Sequence, residues 1–154
     1  MFYINEAIRT ESDSFYPVGI WVAEKIIANF IMAAEDLDQL KKAIFYGKNA
    51  SLFNGCPPLN VDRHTERWIH GVIGIATEAG ELMEALHAHL FCDSPIDEEN
   101  LFEELGDLEW YEAILCHEFE FDPEQIRASN IAKLRKRYPE KFTEEAAINR
   151  DAAE

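Results

Sequence analysis

Basic residues are scarce in this chain of 154 residues. Fourteen lysines and arginines stand against 30 aspartates and glutamates, which gives a formal net charge of −16. Binding to DNA or RNA depends on clustered cations that displace counterions, so this charge argues against a nucleic acid polymer as a partner. A small anionic substrate would be repelled as well, and we expect it to arrive together with a metal ion.

Cysteine and long uncharged apolar runs are also lacking. Cys56, Cys92 and Cys116 are odd in number, far apart and without the spacing of a metal site, so we expect reduced thiols. No signal peptide is visible, and the longest apolar stretches carry charges too often to span a bilayer. These features predict a cytoplasmic protein that does not enter a membrane.

Glycine and proline are few, at seven and six residues, and long periodic segments lie between them. Apolar residues recur there at intervals of three and four, which predicts four long helices. The first ends at Gly47, and Ser94 is the predicted N-cap of the third, before Pro95. Asn60 or Asp62 caps the second helix. The predicted helices span about 19–45, 62–89, 95–118 and 122–138.

The length and the hydrophobic content of 47% fit one domain that buries a core. We predict a single domain over residues 1–154. Its core covers about residues 18–138, with an N-terminal arm over 1–17 and a polar C-terminal tail over 139–154.

Two acidic pairs, Glu78-Ala-Gly-Glu81 and Glu104-Leu-Gly-Asp107, lie on the second and third predicted helices. A spacing of three places both members of a pair on one helix face. At ~1.5 Å per residue, each pair lies ~17 Å from the turn between the helices. Antiparallel packing therefore brings four carboxylates to the same height, where they can hold a hard divalent cation.

Gly80 and Gly106 occupy equivalent places inside the two pairs. A glycine within a helix costs about 1 kcal/mol relative to alanine. We interpret both glycines as positions where the two acidic helices approach each other closely.

Six of the fourteen basic residues fall between Arg127 and Lys141. Asn130, Lys133 and Arg137 share one stripe of the fourth helix. Cations at a helix C-terminus also suit its dipole, so the stripe has a structural explanation too. Beside an acidic metal site, phosphate binding is the favoured interpretation.

These stretches, with the segment from Asn130 to Phe142, resemble the MazG-like branch of the all-α nucleoside triphosphate pyrophosphohydrolases. The signature of that family is Glu-x-x-Glu followed, after a gap, by Glu-x-x-Asp. The resemblance covers about residues 62–151 and implies a four-helix bundle. Its central antiparallel helix hairpin carries the metal site.

The resemblance also implies an activity, namely hydrolysis of a nucleoside triphosphate to the monophosphate and pyrophosphate. It implies two or more Mg²⁺ ions per site, for which Mn²⁺ can substitute, and a homodimer or homotetramer. The implied catalytic and metal-binding residues are Glu78, Glu81, Glu104 and Asp107. The implied phosphate-binding and nucleotide-binding residues are Asn130, Lys133, Arg137 and Arg150.

Glu109 and Glu112 depart from the family pattern, which has apolar residues there. A carboxylate can accept the paired donors of guanine, so one hypothesis is a guanine preference. The other is a solvent-exposed edge of the oligomer.

Two further classes stay open. Glu84-Ala-Leu-His87 is the ligand unit of ferritin-like metal proteins, although the sequence holds no second such unit. A non-catalytic helical adaptor, in which the acidic faces only confer solubility, is the other alternative.

Overall fold

The computed structural model describes residues 2–53, 55 and 57–148, and all regular secondary structure within these ranges is helical. The all-α prediction is confirmed. A 3-10 turn at Ala50–Phe53 follows α2. The helices are α1 (Phe2–Ile8), α2 (Ile20–Tyr46), α3 (Arg63–Phe91), α4 (Glu98–Glu118), α5 (Pro123–Arg137) and α6 (Glu144–Ile148). The four predicted helices correspond to α2 to α5, and α6 lies within the predicted polar tail.

The chain divides into two compact units. Residues 18–120 form the first unit, which contains α2, α3 and α4. The described residues among 1–17 and 121–154 form the second, which contains α1, α5 and α6. The single domain and the arrangement of four helices in one bundle stay predictions.

Contacts between α1 and the C-terminal part of the chain hold the second unit together. Arg135 donates to the Glu6 carboxylate at 2.7 Å, and Arg9 donates to the carbonyl of Tyr138 at 3.2 Å. The residues near the N-terminus are thus an ordered part of this unit.

Two predicted helix ends are confirmed. α2 stops at Gly47, whose φ of 65° is left-handed and whose N–H bonds to the Lys42 carbonyl. Glycine adopts this conformation without the steric cost of a Cβ. α3 starts after Asp62, whose carboxylate accepts from the backbone N–H of Thr65 at 2.8 Å. Of the two predicted caps, Asp62 is the one used.

The predicted cap of the third long helix is wrong. α4 begins at Glu98, and its N-cap is Asp97, which accepts from the Asn100 N–H at 3.1 Å. Ser94 instead belongs to the end of α3, because its N–H bonds to the Ala88 carbonyl at 3.1 Å. Ser94 lies four residues before the first residue of α4, which is too far away for an N-cap.

α3 and α4 form the predicted antiparallel hairpin. Gly71 faces Leu115, and further along, Glu78 lies beside Asp107, so numbers rise on one helix as they fall on the other. A Cβ added at Gly71 would lie 2.5 Å from Leu115 Cδ2. A missing side chain therefore lets the two helices approach.

The interpretation of Gly80 and Gly106 is wrong. A Cβ on Gly80 would collide with Ala34 of α2, and one on Gly106 would meet nothing within 4 Å. Each glycine follows the first acid of its pair by two residues, which is a rotation of about 200° on a helix. On α3, Gly71 and Gly74 therefore lie on the same face as Glu78, whereas Gly80 lies on the opposite side of the helix.

Within the described residues, no helix is both long enough and apolar enough to cross a membrane. Cys92 and Cys116 are free, as predicted, and Cys56 lies outside the described residues.

Candidate metal centre

Three acidic side chains of the hairpin meet at one point. Glu78 comes from α3, and Glu104 and Asp107 come from α4. One carboxylate oxygen of each lies within 4.8 Å of the other two. Glu78 and Glu104 are only 5% and 7% exposed, whereas Asp107 is exposed. The cluster is therefore buried on one side and open to solvent at Asp107.

Glu81, the fourth predicted ligand, is exposed and does not belong to this group. It borders a cavity of about 510 Å³ that residues of α2 and α3 enclose. The remaining lining residues are Ala34, Glu35, Asp38, Gln39, Thr77, Gly80 and Glu84. Glu81 thus stands beside the cluster, on the side of α2.

The acidic side chains disfavour one another's ionisation. Burial is the main cause that raises the pKa of Glu104 to about 7, and the charges of Glu81, Glu78 and Asp107 add to it. Burial and then the charge of Glu78 also raise the pKa of Glu81. A bound cation would reverse these effects, because it stabilises the ionised carboxylates.

One carboxylate oxygen of the cluster is a buried acceptor without a hydrogen-bond donor among the described residues. Oε2 of Glu104 is buried and has no hydrogen-bond partner in the described part of the chain. Buried polar atoms are nearly always paired, by protein, water or an ion. The possible metal-ligand atoms are all carboxylate oxygens, which suit Mg²⁺ or Mn²⁺. The residues therefore fit a hard divalent ion.

Lys41 of α2 reaches this cluster, and the sequence analysis missed it. Its ammonium group donates to Thr77 Oγ1 at 2.7 Å and to Glu78 Oε1 at 3.3 Å. It also lies 3.5 Å from Asp38 Oδ1 and 5.1 Å from the centre of the Tyr111 ring. A third helix thus contributes to the surroundings of the acids.

A signal for Lys41 was present in the sequence. Lys41 falls on the apolar stripe of α2, four residues after Leu37 and three before Ile44. A lysine is rarely buried there without a partner. Burial opposes its charge, but Tyr111 and the Glu78 carboxylate outweigh burial and raise the pKa of Lys41. Its partner could not be read from the stripe.

The predicted phosphate-binding residues lie on α5, in the second unit. Asn130 Oδ1 accepts from the Tyr3 hydroxyl at 3.3 Å, Lys133 is exposed and Arg137 is half-buried. Arg150 lies outside the described residues. The phosphate-binding role of these residues stays a prediction.

The remaining acidic candidates lie apart from the cluster. Glu109 and Glu112 are both exposed on α4. Within the described residues, no group of three metal-ligating side chains includes Glu84 or His87. The ferritin-like alternative therefore gains no support from the described residues.

A hairpin of two helices with three converging carboxylates, two of them buried, defines an all-α protein with a candidate divalent metal centre. Residues 72–142 match the family model of the MazG nucleotide pyrophosphohydrolase domain. The match confirms the resemblance, and the chain carries a MazG-like domain. The matched segment includes both acidic pairs and the basic stripe of α5. No curated protein and no solved structure matches this chain.

Proposed function

We propose that this protein is a metal-dependent nucleoside triphosphate pyrophosphohydrolase. It adds water to a nucleoside triphosphate between the α and β phosphates and releases the monophosphate and pyrophosphate. The observation that carries this proposal is the convergence of Glu78, Glu104 and Asp107, together with the buried Oε2 of Glu104, which has no hydrogen-bond partner among the described residues. The MazG match supports the nucleotide as the substrate class.

Glu78, Glu104 and Asp107 would hold Mg²⁺ or Mn²⁺, and Glu81 would join them from the cavity side. Such ions polarise phosphoryl oxygens and lower the pKa of bound water. Oε1 of Glu78 is engaged by Lys41 and Thr77, whereas Glu81 is exposed. Glu81 is therefore the better candidate to accept the proton of the attacking water.

The resemblance alone supports the assignment of Asn130, Lys133, Arg137 and Arg150 to the nucleotide. If Lys133 contacts a phosphate, Lys133→Ala should raise KM by roughly tenfold, the scale of a lost charge-assisted hydrogen bond. Lys141→Ala, at another exposed lysine, serves as the control. An unchanged KM in the Lys133 variant would contradict the assignment.

A guanine preference is the finer proposal for specificity. Glu109 and Glu112 are exposed, so their carboxylates are free to meet a ligand or solvent. Replacement of both by glutamine should lower kcat/KM for guanine nucleotides relative to the other bases. If the ranking of substrates does not change, these two residues do not read the base.

We also propose a homodimer or homotetramer in the cytoplasm. Several large apolar side chains in the first part of α2 are exposed, among them Ile20, Trp21, Val22 and Ile26. Val22 and Ile26 lie one turn apart and share a face of the helix. Monomeric proteins rarely expose large contiguous apolar patches. A second copy of the chain would cover them.

The decisive experiment measures pyrophosphate release from common, deoxy and modified nucleoside triphosphates with Mg²⁺ or Mn²⁺. We expect release from at least one substrate, and a loss of at least roughly 100-fold in Glu104→Gln, since a ligand is removed. Glu103→Gln, the exposed neighbour on α4, should retain activity. No release from any triphosphate would contradict the proposal and favour the adaptor.

A further inference from the structure

We propose that Lys41 is a positioning residue of the metal centre. It holds the Glu78 carboxylate in the orientation in which Glu78 acts together with Glu104 and Asp107. The importance of this role for turnover rests on the proposed function. Its effect on metal binding can be measured without any nucleotide.

Acceptors of the first unit surround the ammonium group of Lys41. A lysine ammonium has three donors. The Lys41 ammonium group donates to Thr77 Oγ1 at 2.7 Å and to Glu78 Oε1 at 3.3 Å, and it lies 3.5 Å from Asp38 Oδ1. The residue is only 5% exposed. Lys41 is therefore not available to grip a substrate phosphate, and it acts through Glu78.

The contacts to Glu78 converge on a single oxygen. Oε1 lies 3.3 Å from the Lys41 ammonium and 3.1 Å from the Thr77 hydroxyl. Thr77 is itself 2% exposed, and its hydroxyl also lies 2.8 Å from the Gly74 carbonyl. The single hydroxyl proton of Thr77 serves one of its two acceptors at a time, so Lys41 is the constant donor to Oε1, and Thr77 supports both Lys41 and Glu78. Together these contacts restrict the torsion of the carboxylate and the direction of its other oxygen.

This arrangement makes α2 part of the metal centre. Glu78 projects from α3 toward two acids of α4, and within the described residues the cation that pairs with it, Lys41, comes from α2. Partners that orient a ligating carboxylate typically change metal affinity or activity by about 10-fold to 100-fold when they are removed. Lys41 fits that description by its contacts and burial.

A simple charge effect predicts the opposite result. A lysine beside a metal site repels the metal, so removal of its charge alone would strengthen cation binding. Removal of the orienting contact would weaken it. The direction of the change in metal affinity therefore decides between positioning and repulsion.

The test uses the full chain and Mn²⁺ alone, with binding measured by electron paramagnetic resonance. In Lys41→Met we expect the Kd for Mn²⁺ to rise by about 10-fold or more. Thr77→Val removes one of the two contacts at nearly constant volume and should raise it several-fold. Lys42→Met is the matched control, because Lys42 is half-exposed and its ammonium group pairs with Asp38 rather than with Glu78. Its Kd should stay unchanged.

Measurements of kcat and KM distinguish a positioning role of Lys41 from direct contact with the substrate. At saturating metal, Lys41→Met should lower kcat while KM for the nucleotide changes little, because Lys41 does not touch the substrate. Circular dichroism verifies that each variant is folded. Should Lys41→Met fail to fold, Thr77→Val decides the question by its Mn²⁺ affinity.

Unchanged or tighter Mn²⁺ binding in the folded variants would overturn the role of Lys41. A wild-type protein that binds Mn²⁺ but releases no pyrophosphate would overturn the proposed function, and the Mn²⁺ affinities would still decide the role of Lys41. A wild-type protein that binds no Mn²⁺ would overturn both.

Discussion

Gly74 of α3 lies directly against the ring of Tyr111 on α4, so a Cβ added at Gly74 would overlap the ring carbons Cδ1 and Cε1. Tyr111 is only 5% exposed, and the Lys41 ammonium group lies 5.1 Å from the centre of its ring. Glu78 and Asp107 each lie four residues, or about one turn, from this contact. The approach of Gly74 to Tyr111 therefore sets the separation of the two acidic helices at the cluster.

The first prediction concerns the two kinds of glycine in the hairpin. Gly74→Ala should lower the free energy of unfolding by about 1–3 kcal/mol, because the methyl group overpacks a buried aromatic contact. Gly106→Ala, where nothing lies within 4 Å, should raise it by up to about 1 kcal/mol through helix propensity. Urea denaturation with EDTA measures both. Equal effects of the two substitutions would contradict the packing described for Gly74.

The second prediction concerns the stability of the metal-free protein. The pKa of Glu104 is about 7 in the fold, against an ordinary value of 4.5. A raised pKa of an acid contributes stability that is complete below about 4.5 and is lost as the pH rises through about 7. Glu104→Gln should therefore unfold at higher urea concentration than the wild type at pH 8, with little difference at pH 5.

Glu103→Gln provides the control for this comparison, because Glu103 is the exposed neighbour of Glu104. Its unfolding should follow the wild type at both pH values. If Glu104→Gln were less stable than the wild type at pH 8 in EDTA, ionisation of Glu104 would not be unfavourable in the fold.

The third prediction concerns the competition between protons and metal. Because Glu104 must release its proton to bind an ion, the apparent affinity for Mn²⁺ should fall below about pH 7, by up to about tenfold per pH unit. Above pH 8 it should level off. Calorimetric titration between pH 5.5 and 8.5, converted to Kd at each pH, measures the profile. A Kd that is independent of pH over this range would show that Glu104 is not a ligand.

The fourth prediction concerns self-association. The side chain of Trp21 is 83% exposed near the start of α2, and Val22 and Ile26, which lie about one turn apart, are 62% and 63% exposed. Light scattering at micromolar concentration should therefore give the mass of a dimer or tetramer, and Trp21→Lys should shift it toward the monomer. Glu99→Lys, at an exposed polar position of α4, should leave it unchanged. A monomeric wild type would contradict the prediction.

Much of the hairpin could be predicted because its signals are local. The apolar period of α3, the cap at Asp62 and the spacing of the acids depend only on neighbouring residues. That Glu78 and Glu104 lie at the same level of the hairpin followed from their similar distances along the chain from the turn. The cap of α4 could not be predicted in the same way, because Ser94 and Asp97 are both good caps. In the structure α4 begins directly after Asp97, whereas the backbone of Ser94 still bonds to the end of α3.

By itself, the sequence determined the four long helices, the acidic pairs and the resemblance to a family, since periodicity and motif spacing are properties of the chain read along its length. Only the tertiary structure decided which acids converge, which glycines face the other helix and which cation supports Glu78. Those choices depend on the rotation of each helix about its axis and on the third helix beside the hairpin. The residue pattern of one helix does not identify which side chain of another helix packs against it.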